Sequence, residues 1–217
     1  MEGARIGKNC NIFPGAVISA QPQDLKYEGE DTTVEIGDNT TIRECATINK
    51  GTTDRMKTVI GKNCWIMAYC HIAHDCIVGD HCIFSNNSTL AGHVTIGDFV
   101  VLAGMVAVQQ FVSVGSHAFV TGGSLVRKDV PPFVKGAREP MSYVGINSVG
   151  LRRRGFTTEK IREIQNIYRI LYQMNYNNTQ AVQIIEAEME ATPERDEILQ
   201  FIRDSQRGIM KGYFTNN

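Results

Sequence analysis

The feature that most limits the fold of this chain is a six-residue register of apolar residues between residues 60 and 126. Each position in this register is aliphatic or phenylalanine: Ile60, Ile66, Ile72, Val78, Phe84, Leu90, Ile96, Leu102, Val108, Val114, Val120 and Val126. A period of six matches neither the turn of an α-helix nor the alternation of a strand. Self-similarity at a short fixed period is typical of solenoids, in which stacked units bury one continuous core.

A longer period lies on top of the short one. Ile60-Gly61, Val78-Gly79, Ile96-Gly97 and Val114-Gly115 recur every eighteen residues, so three hexads make one coil and each coil has three sides. Residues eighteen apart are therefore expected to lie above one another, at the strand spacing of about 4.8 Å.

This stacking rule predicts a polar edge. His74 shares its corner with Gly92 and Gln110, which follow at intervals of eighteen residues. The column beside it contains Asp75, His93 and Phe111. Two histidines, a carboxylate and a glycine are thus expected to meet on one edge of a prism.

The repeat is already present at residues 5–9, and two insertions interrupt it later. An excess of twelve residues places one excursion at about 19–33, and an excess of six places another at about 51–57. Insertions in solenoids form loops on one face, often the binding face. Residues 1–5 do not resemble the cap that a solenoid end normally needs, so we expect that the chain begins late or that earlier coils are missing.

Composition excludes several classes of protein. A net charge of -1 gives no electrostatic case for nucleic acid binding, and no apolar run is long enough to span a membrane, so we expect a cytoplasmic protein. The six cysteines are expected to be free thiols. Cys64, Cys70, Cys76 and Cys82 follow the repeat rather than a common ligand spacing, and no metal site is predicted.

Charge is nearly absent from the repeat. Between residues 63 and 125 the only formal charges are Asp75, Asp80 and Asp98. Because a solvated surface is not uncharged over four coils, we expect copies of the chain to cover these corners in a closed homo-oligomer. Pro131 and Pro132 are expected to end the repeat, because proline cannot donate to a ladder.

The expected organisation is a β-helix over residues 1–135, a linker over 136–155 and a small α-helical domain over 156–217. Apolar residues recur at helical spacing from Ile161 to Tyr172, after Thr157-Thr158 as a start signal. Further helices are expected after Asn178-Thr179 and after Thr192-Pro193. Tyr168 and Tyr172 are expected in the core, whereas His81 and His117 are expected on the surface.

Five short motifs stand out beside the repeat, at residues 23–27, 71–76, 90–93, 129–132 and 150–156. Through these motifs and the hexad register, the chain resembles the hexapeptide-repeat acyltransferases, and among them the UDP-N-acetylglucosamine 3-O-acyltransferase family. The resemblance covers essentially the whole chain, which lacks the first two or three coils of such enzymes. The resemblance implies an all-β left-handed parallel β-helix with a C-terminal helical domain. It also implies a homotrimer with sites between subunits, needing no cofactor, that moves a 3-hydroxyacyl group from acyl carrier protein to UDP-N-acetylglucosamine, the first step of lipid A synthesis.

Three residues suit that chemistry. His74 is predicted to be the general base, because imidazole titrates at about 6.5 and a sugar hydroxyl must lose a proton. Asp75 is predicted to orient or charge-stabilise it, although sequence neighbours need not face each other. Gly92 stacks above His74, where a bare backbone N–H could meet a thioester oxyanion.

The binding residues follow from the resemblance alone. It implies that Gln23, Asp24 and Lys26 form a sugar- and acyl-binding loop. It implies further that His71 and His93 position substrate and that Gln110 contacts the nucleotide side. Gly122 stands at the position whose side chain ends the acyl groove in the family, and because glycine cannot close a groove, a long 3-hydroxyacyl chain is expected. Asn147 and Arg153 would hold the diphosphate, and Arg154, with Arg152 and Lys160, would steer the acidic carrier. Gln109 and Val149 depart from the family's usual histidine and glutamate.

Other classes remain open. The N-acylating sister enzymes ordinarily carry an additional N-terminal domain, for which we expect no room in this chain. A γ-type carbonic anhydrase shares the solenoid and binds zinc through histidines between subunits, but the spacing of His71 and His74 does not reproduce its metal site. A purely structural β-helix would need neither the excursions nor a buried polar edge.

Overall fold

The structure is a computed structural model that describes residues 1–212. Short strands make up the first part of the chain: β1 (Ala4–Ile6), β2 (Asn11–Ile12), β3 (Val17–Ala20), β4 (Thr33–Ile36), β5 (Thr41–Ile42), β6 (Thr47–Asn49), β7 (Lys57–Ile60), β8 (Trp65–Ile66), β9 (His71–Ile72), β10 (Ile77–Val78), β11 (Ile83–Phe84), β12 (Thr89–Leu90), β13 (Thr95–Ile96), β14 (Val101–Leu102), β15 (Ala107–Val108), β16 (Ser113–Val114), β17 (Phe119–Val120) and β18 (Leu125–Val126). The remaining elements are β19 (Val134–Ala137), β20 (Ser142–Ile146), α1 (Ser148–Arg153), α2 (Thr158–Gln173), α3 (Asn178–Glu188), α4 (Pro193–Asp204) and β21 (Lys211–Gly212).

The strands form three parallel sheets that are the three sides of a solenoid. The first sheet runs from β1 to β16, the second from β2 to β17 with β19, β20 and β21 at its end, and the third from β3 to β18. The register is the predicted eighteen residues: Thr89 pairs with His71, and Leu90 with Ile72. The predicted fold class, a left-handed parallel β-helix with C-terminal helices, is confirmed.

The six-residue register, together with the small or β-branched residues four places after each of its members, fills the interior. All twelve residues from Ile60 to Val126 in this register are at most 3% exposed, and so are the residues four places after each of them. The buried cysteines add hydrogen bonds between neighbouring coils, because Cys64 Sγ donates to Gly79 O at 3.1 Å and Cys76 Sγ donates to Ala91 O at 3.2 Å. All six cysteines are free, as expected.

Each corner turns through a left-handed residue. Asp75, His93 and Phe111 occupy the same turn position in successive coils and have φ of 59°, 63° and 65°. This conformation is uncommon for residues other than glycine, and here the coils above and below hold it in place. The corner columns predicted from the eighteen-residue period are therefore stacked columns in space.

The eighteen-residue repeat ends at Pro131 and Pro132, as predicted. The pairings on either side of this proline pair, Val130 with Val114 and Lys135 with Phe119, join residues sixteen apart. Parallel pairing itself continues for one partial coil. Val130 bridges to Val114, and β19 then pairs in parallel with β17 before the chain reverses into β20. Both prolines are buried in this last partial coil. The segment expected to be a linker contains the strand β20 and the helix α1.

The helices start close to where the sequence indicates. Thr157 caps α2 and Thr192 caps α4, whereas α3 begins at a capping box on Asn177, one residue before the expected position. Tyr168 is fully buried in α2, and its hydroxyl donates to Pro132 O at 2.6 Å, which joins the helices to the end of the solenoid. Residues 213–217 of the predicted helical domain lie outside the described residues. Within residues 1–212, no helix combines the length and apolar character needed to cross a membrane.

Candidate active site

His74 and Asp75 form a buried dyad at the corner between the third sheet and the first. Nδ1 of His74 lies 2.8 Å from Oδ2 of Asp75, and the side chains are 7% and 0% exposed. The left-handed conformation of Asp75 turns its carboxylate toward the preceding residue. Sequence neighbours that need not face each other therefore do so here, and Nε2 of His74 is the nitrogen left for a substrate.

Asp75 is held by the second excursion, which leaves β6 and returns at β7 one coil below. The Thr52 amide and the Arg55 amide donate to Oδ1 at 3.0 and 3.1 Å, and the Thr52 hydroxyl donates to Oδ2 at 2.6 Å. Burial raises the pKa of Asp75, but the hydrogen bonds from Thr52, His74 and Arg55 together hold this pKa below its ordinary value. The carboxylate is therefore ionised at neutral pH and fixes the orientation of His74.

Gly92 lies directly against the imidazole of His74. A Cβ at this position would be 2.6 Å from both Cε1 and Nε2 of the ring, so the corner requires glycine. No hydrogen bond from the Gly92 amide is seen within the part of the chain that the structure describes. The predicted pairing of a base with a bare N–H is geometrically possible here.

His93 and His71 flank the dyad. The ring of His93 stacks on Phe111 at 4.6 Å and meets the ring of His74 edge-on at 5.0 Å. Nδ1 of His71 is 2.7 Å from the hydroxyl of Thr47. Burial, and then the positive charge that His74 can carry, lower the pKa of His71. Both histidines predicted to position substrate thus lie beside the dyad.

The first excursion leaves at the same corner, between β3 and β4. Asp24 Oδ1 accepts from the Lys26 amide at 3.0 Å, and the side chains of Gln23 and Lys26 are exposed. Gln110 is exposed at the corner above Gly92. The predicted loop and the dyad therefore share one edge of the solenoid.

The remaining predicted site residues lie on other edges of the chain. Asn147 caps α1, where Oδ1 accepts from the Gly150 amide and Nδ2 donates to His117 O at 2.9 Å. This places it at the corner between the first and second sheets. Gly122 lies at the corner between the second and third sheets, where its Cβ would be 3.1 Å from Gly104 O. One chain does not bring these residues to His74.

The arginines of α1 differ in their surroundings. Arg153 and Arg152 are exposed. Arg154 instead covers the ring of Phe99 at 5.3 Å and donates to Phe99 O at 2.9 Å, while its buried Nη1 has no partner among the described residues. Desolvation lowers the pKa of Arg154.

A column of stacked rings runs along the corner between the first and second sheets, where Asn147 also lies. His81, Phe99, His117 and Phe133 stack with centroids 4.6, 4.9 and 5.4 Å apart. His81 is exposed, as expected, but His117 is half-buried, so the prediction that it lies on the surface was wrong. Burial, and then the charge of Arg154, lower the pKa of His117 to about 4. The aromatic period of this column is visible in the sequence, whereas the cover over it, from α1 and Phe156, is not.

Sequence reasoning did not identify the residues of the second excursion as part of the site. Thr52 and Arg55 hold Asp75, and Asp54 contacts His93. The six-residue repeat contains no information on these residues, because an insertion has no counterpart in neighbouring coils. The available signal was the position of the insertion, one coil below His74 at the same corner.

His74, Asp75 and His93 also offer three ligand atoms within 4.8 Å of one another, as a metal site would require. However, both oxygens of Asp75 already accept hydrogen bonds from Thr52, Arg55 and His74. Nδ1 of His93 is likewise engaged by Asp54. The donor set therefore suits a hydrogen-bonded dyad better than a metal centre.

Comparisons with known proteins agree with this geometry. Residues 129–210 match the family described as Udp N-acetylglucosamine O-acyltransferase, Domain 2, and residues 57–92 match the bacterial transferase hexapeptide family. A curated relative from Chlorobaculum parvum, named acyl-[acyl-carrier-protein]–UDP-N-acetylglucosamine O-acyltransferase, is 52% identical over 95% of this chain and 78% of its own length.

Solved structures show the same similarity. A UDP-N-acetylglucosamine acyltransferase from Bacteroides fragilis is 47% identical, with a TM-score of 0.95 over 96% of this chain and 82% of that one. An Arabidopsis UDP-N-acetylglucosamine acyltransferase is 33% identical, with a TM-score of 0.87 over 96% and 90% of the two chains.

Proposed function

Because this chain belongs to the acyl-[acyl-carrier-protein]–UDP-N-acetylglucosamine O-acyltransferase family, we propose that it transfers a 3-hydroxyacyl group from acyl carrier protein to the 3-hydroxyl of UDP-N-acetylglucosamine. This reaction is the first step of lipid A synthesis. The observation that carries the proposal is the buried His74–Asp75 dyad, with the Gly92 backbone against the free edge of its imidazole. Six free thiols suit a reducing compartment, and we assign the reaction to the cytoplasm.

Proton transfer explains the arrangement of the dyad. Asp75 holds Nδ1–H of His74, so Nε2 accepts the proton of the sugar hydroxyl as its oxygen attacks the thioester carbonyl. The Gly92 amide donates to the oxyanion of the tetrahedral intermediate. Collapse expels the carrier thiolate, which takes the proton from His74. No covalent bond between the acyl group and the protein forms in these steps.

The active assembly is proposed to be a homotrimer. Within one chain, the dyad, the Asn147 corner and the Gly122 corner lie on three different edges, so a site that uses all three needs neighbouring copies. Three copies around a threefold axis form a closed assembly of the kind common among soluble oligomers. The scarcity of charge on these corners supports burial between subunits.

Residues outside the dyad are assigned to the two substrates. The first excursion, with Gln23, Asp24 and Lys26, lies on the same edge as the dyad, and His71 and His93 flank the dyad. All five residues are proposed to contact the sugar and the acyl group. Asn147, Arg153 and Gln110 are proposed for the nucleotide, because a guanidinium fork matches phosphate oxygens. Arg152 is exposed and suited to steering an acidic carrier, whereas Arg154 is engaged with Phe99 and contributes through packing.

The proposal is tested by product analysis. Purified protein is mixed with UDP-N-acetylglucosamine and a series of 3-hydroxyacyl carrier thioesters, and the products are identified by mass spectrometry. We expect an O-acylated nucleotide sugar that is sensitive to mild base. An amide product, or no product with any thioester, would contradict the proposal.

The base is tested by His74→Ala. Because a positioned base contributes about 10² to 10⁴ in rate, kcat should fall by that factor while the melting temperature and the assembly are retained. His81→Ala, at an exposed turn position, serves as the control. Near wild-type turnover by His74→Ala would exclude His74 as the base.

A further inference from the structure

The second excursion supplies a carboxylate to the other histidine of the site. Oδ2 of Asp54 lies 3.0 Å from Nδ1 of His93. The His93 side chain is 9% exposed, whereas that of Asp54 is 60% exposed, so the carboxylate approaches from the solvent side. The ring of His93 also contacts Phe111, by stacking, and His74, edge-on. The corner therefore contains two histidine–carboxylate pairs, His74–Asp75 and His93–Asp54.

One turn connects the two pairs. The Asp54 amide donates to the Thr52 hydroxyl at 3.3 Å, and that hydroxyl donates to Oδ2 of Asp75. The same Oδ2 also accepts from Nδ1 of His74. The Arg55 guanidinium reaches the Asp75 carbonyl at 2.8 Å and lies 4.0 Å from the Asp54 carboxylate. Residues 52–55 thus fix the position of both carboxylates relative to the coils.

We propose that Asp54 is a positioning residue of this site, acting through His93 as Asp75 acts through His74. The inference rests on the proposed acyl transfer. A carboxylate on Nδ1 makes that nitrogen the donor and fixes the ring plane, because the partner of one imidazole nitrogen sets the state of the other. Nε2 of His93 then points toward the dyad, 4.0 Å from Oδ2 of Asp75. With Nδ1 as the donor, Nε2 of the neutral ring is an acceptor, so a substrate hydroxyl bound over His74 can donate to it.

Asp54 is exposed, so its removal should leave the fold intact. It lies outside the buried register, and its hydrogen bond to His93 adds no apolar contact to the core. Substitutions at exposed positions outside such features usually change stability by less than about 0.5 kcal/mol. The effect of Asp54→Ala should therefore be seen in His93 and in turnover rather than in the melting temperature.

A double-mutant cycle tests the route of the effect. Asp54→Ala should lower kcat/KM by up to about 100-fold, the loss that a small misplacement of a positioned group can cause. Asp54→Asn keeps an acceptor oxygen and should recover most of the loss. In the His93→Ala background, Asp54→Ala should have no further effect, because the two residues act as one unit. Equal losses in both backgrounds would overturn the proposal.

The imidazole nitrogens give a readout that does not depend on turnover. The chain has five histidines, so ¹⁵N-labelled histidine gives a spectrum in which His93→Ala identifies the His93 signals. We expect a protonated Nδ1 on His93 in the wild type, loss of that signature in Asp54→Ala, and no change in Thr53→Ala, an exposed neighbour in the same turn. Unchanged His93 signals in Asp54→Ala would overturn the proposal even if the acyl transfer is confirmed. If the wild type forms no acylated product, the proposed reaction fails, and the spectra still decide the role of Asp54.

Discussion

At the scale of single residues, the proposed chemistry depends on the orientation of the His74 ring, which Asp75 fixes at Nδ1 and Gly92 leaves room for at Nε2. The eighteen-residue period placed Gly92 above His74 and His93 beside it, and both contacts are present. It could not show that Asp75 faces His74, because that depends on the left-handed turn at Asp75. It could not show the hydrogen bonds from Thr52 and Arg55 either, because their loop has no repeat to define its path.

Gly92→Ala should disable the site without unfolding the chain. The added methyl would be 2.6 Å from Cε1 and Nε2 of His74, so the imidazole must move. A displacement of this kind can cost about 100-fold in rate, and overpacking at one site costs about 1–3 kcal/mol. Steady-state kinetics and thermal unfolding measure the two effects. Gly104→Ala, whose methyl would meet nothing closer than 3.5 Å, should keep the wild-type melting temperature. A Gly92→Ala variant with wild-type kcat/KM would show that the imidazole does not need its present position.

At the scale of elements, each corner is a column whose members share a backbone conformation. His117 has φ of 61° and lies between Phe99 and Phe133, which have φ of 57° and 65°. The turn position therefore accepts phenylalanine both below and above. The sequence predicted the stacking of this column but not its burial, because α1 and the Phe156 ring reach it only after the β19–β20 hairpin reverses the chain.

His117→Phe should flatten the dependence of stability on pH. The folded chain holds His117 neutral with a pKa of about 4, whereas the unfolded chain binds a proton at about 6.5. Between these values the unfolded state binds more protons, so the free energy of unfolding falls as the pH falls, by at most about 2 kcal/mol from pH 7 to pH 5. Phenylalanine does not titrate, and it removes the buried Nδ1 that has no partner among the described residues.

Urea unfolding at pH 7 and pH 5 measures this difference. The wild type should lose more stability than His117→Phe over the interval. His81→Phe, at the exposed end of the same column, controls for the replacement of an imidazole ring by a phenyl ring. Equal losses in the wild type and His117→Phe would show that His117 is not held neutral.

Gly122 lies in the corner column between the second and third sheets, directly above Gly104. It is three coils above Ala68, which occupies this corner in the coil of His74. The distance from Ala68 to Gly122 is about 14 Å at the sheet spacing. Gly122 is exposed, with no side chain to close a groove along this edge. Gly122→Met should therefore shift the preferred donor to a shorter 3-hydroxyacyl chain while preserving the rate on that donor. Each buried methylene contributes about 0.8 kcal/mol, or about fourfold in discrimination.

Competition between thioesters of different length measures the preference. The Cβ would be 3.1 Å from Gly104 O, so a shift of a few tenths of an ångström is expected in the backbone. Gly122→Ala introduces the same shift with almost no added length and is the matched control. An unchanged profile in Gly122→Met would place the end of the groove elsewhere.

At the scale of the whole molecule, three edges of one prism carry three parts of one proposed site. The hexad register predicted the prism, and the uncharged corners predicted that it does not act alone. The sequence predicted the three helices α2, α3 and α4 but not α1, because the six residues of α1 carry no helical apolar stripe. The position of α1, with Asn147 on the His117 corner, keeps Asn147 and Arg153, two of the residues proposed for the nucleotide, away from the dyad within one chain.

Mixed assemblies test whether neighbouring chains share a site. His74→Ala lacks the proposed base, and Arg153→Ala lacks an exposed cation proposed for the diphosphate, so each assembly alone should have a low kcat/KM for the nucleotide sugar. If His74 of one subunit works with Arg153 of the next, a cleft is intact wherever an Arg153→Ala chain supplies the histidine and a His74→Ala chain supplies the arginine. Random mixing of equal amounts makes about a quarter of all clefts intact, and about a third of the clefts in the mixed trimers that carry both tags. Co-expression with two different tags, followed by tandem purification and kinetics at low nucleotide-sugar concentration, measures the recovery. Separately expressed proteins mixed without subunit exchange should stay inactive. If both residues serve one cleft within a single chain, no mixture can restore an intact site, and activity would remain at the level of the two parents.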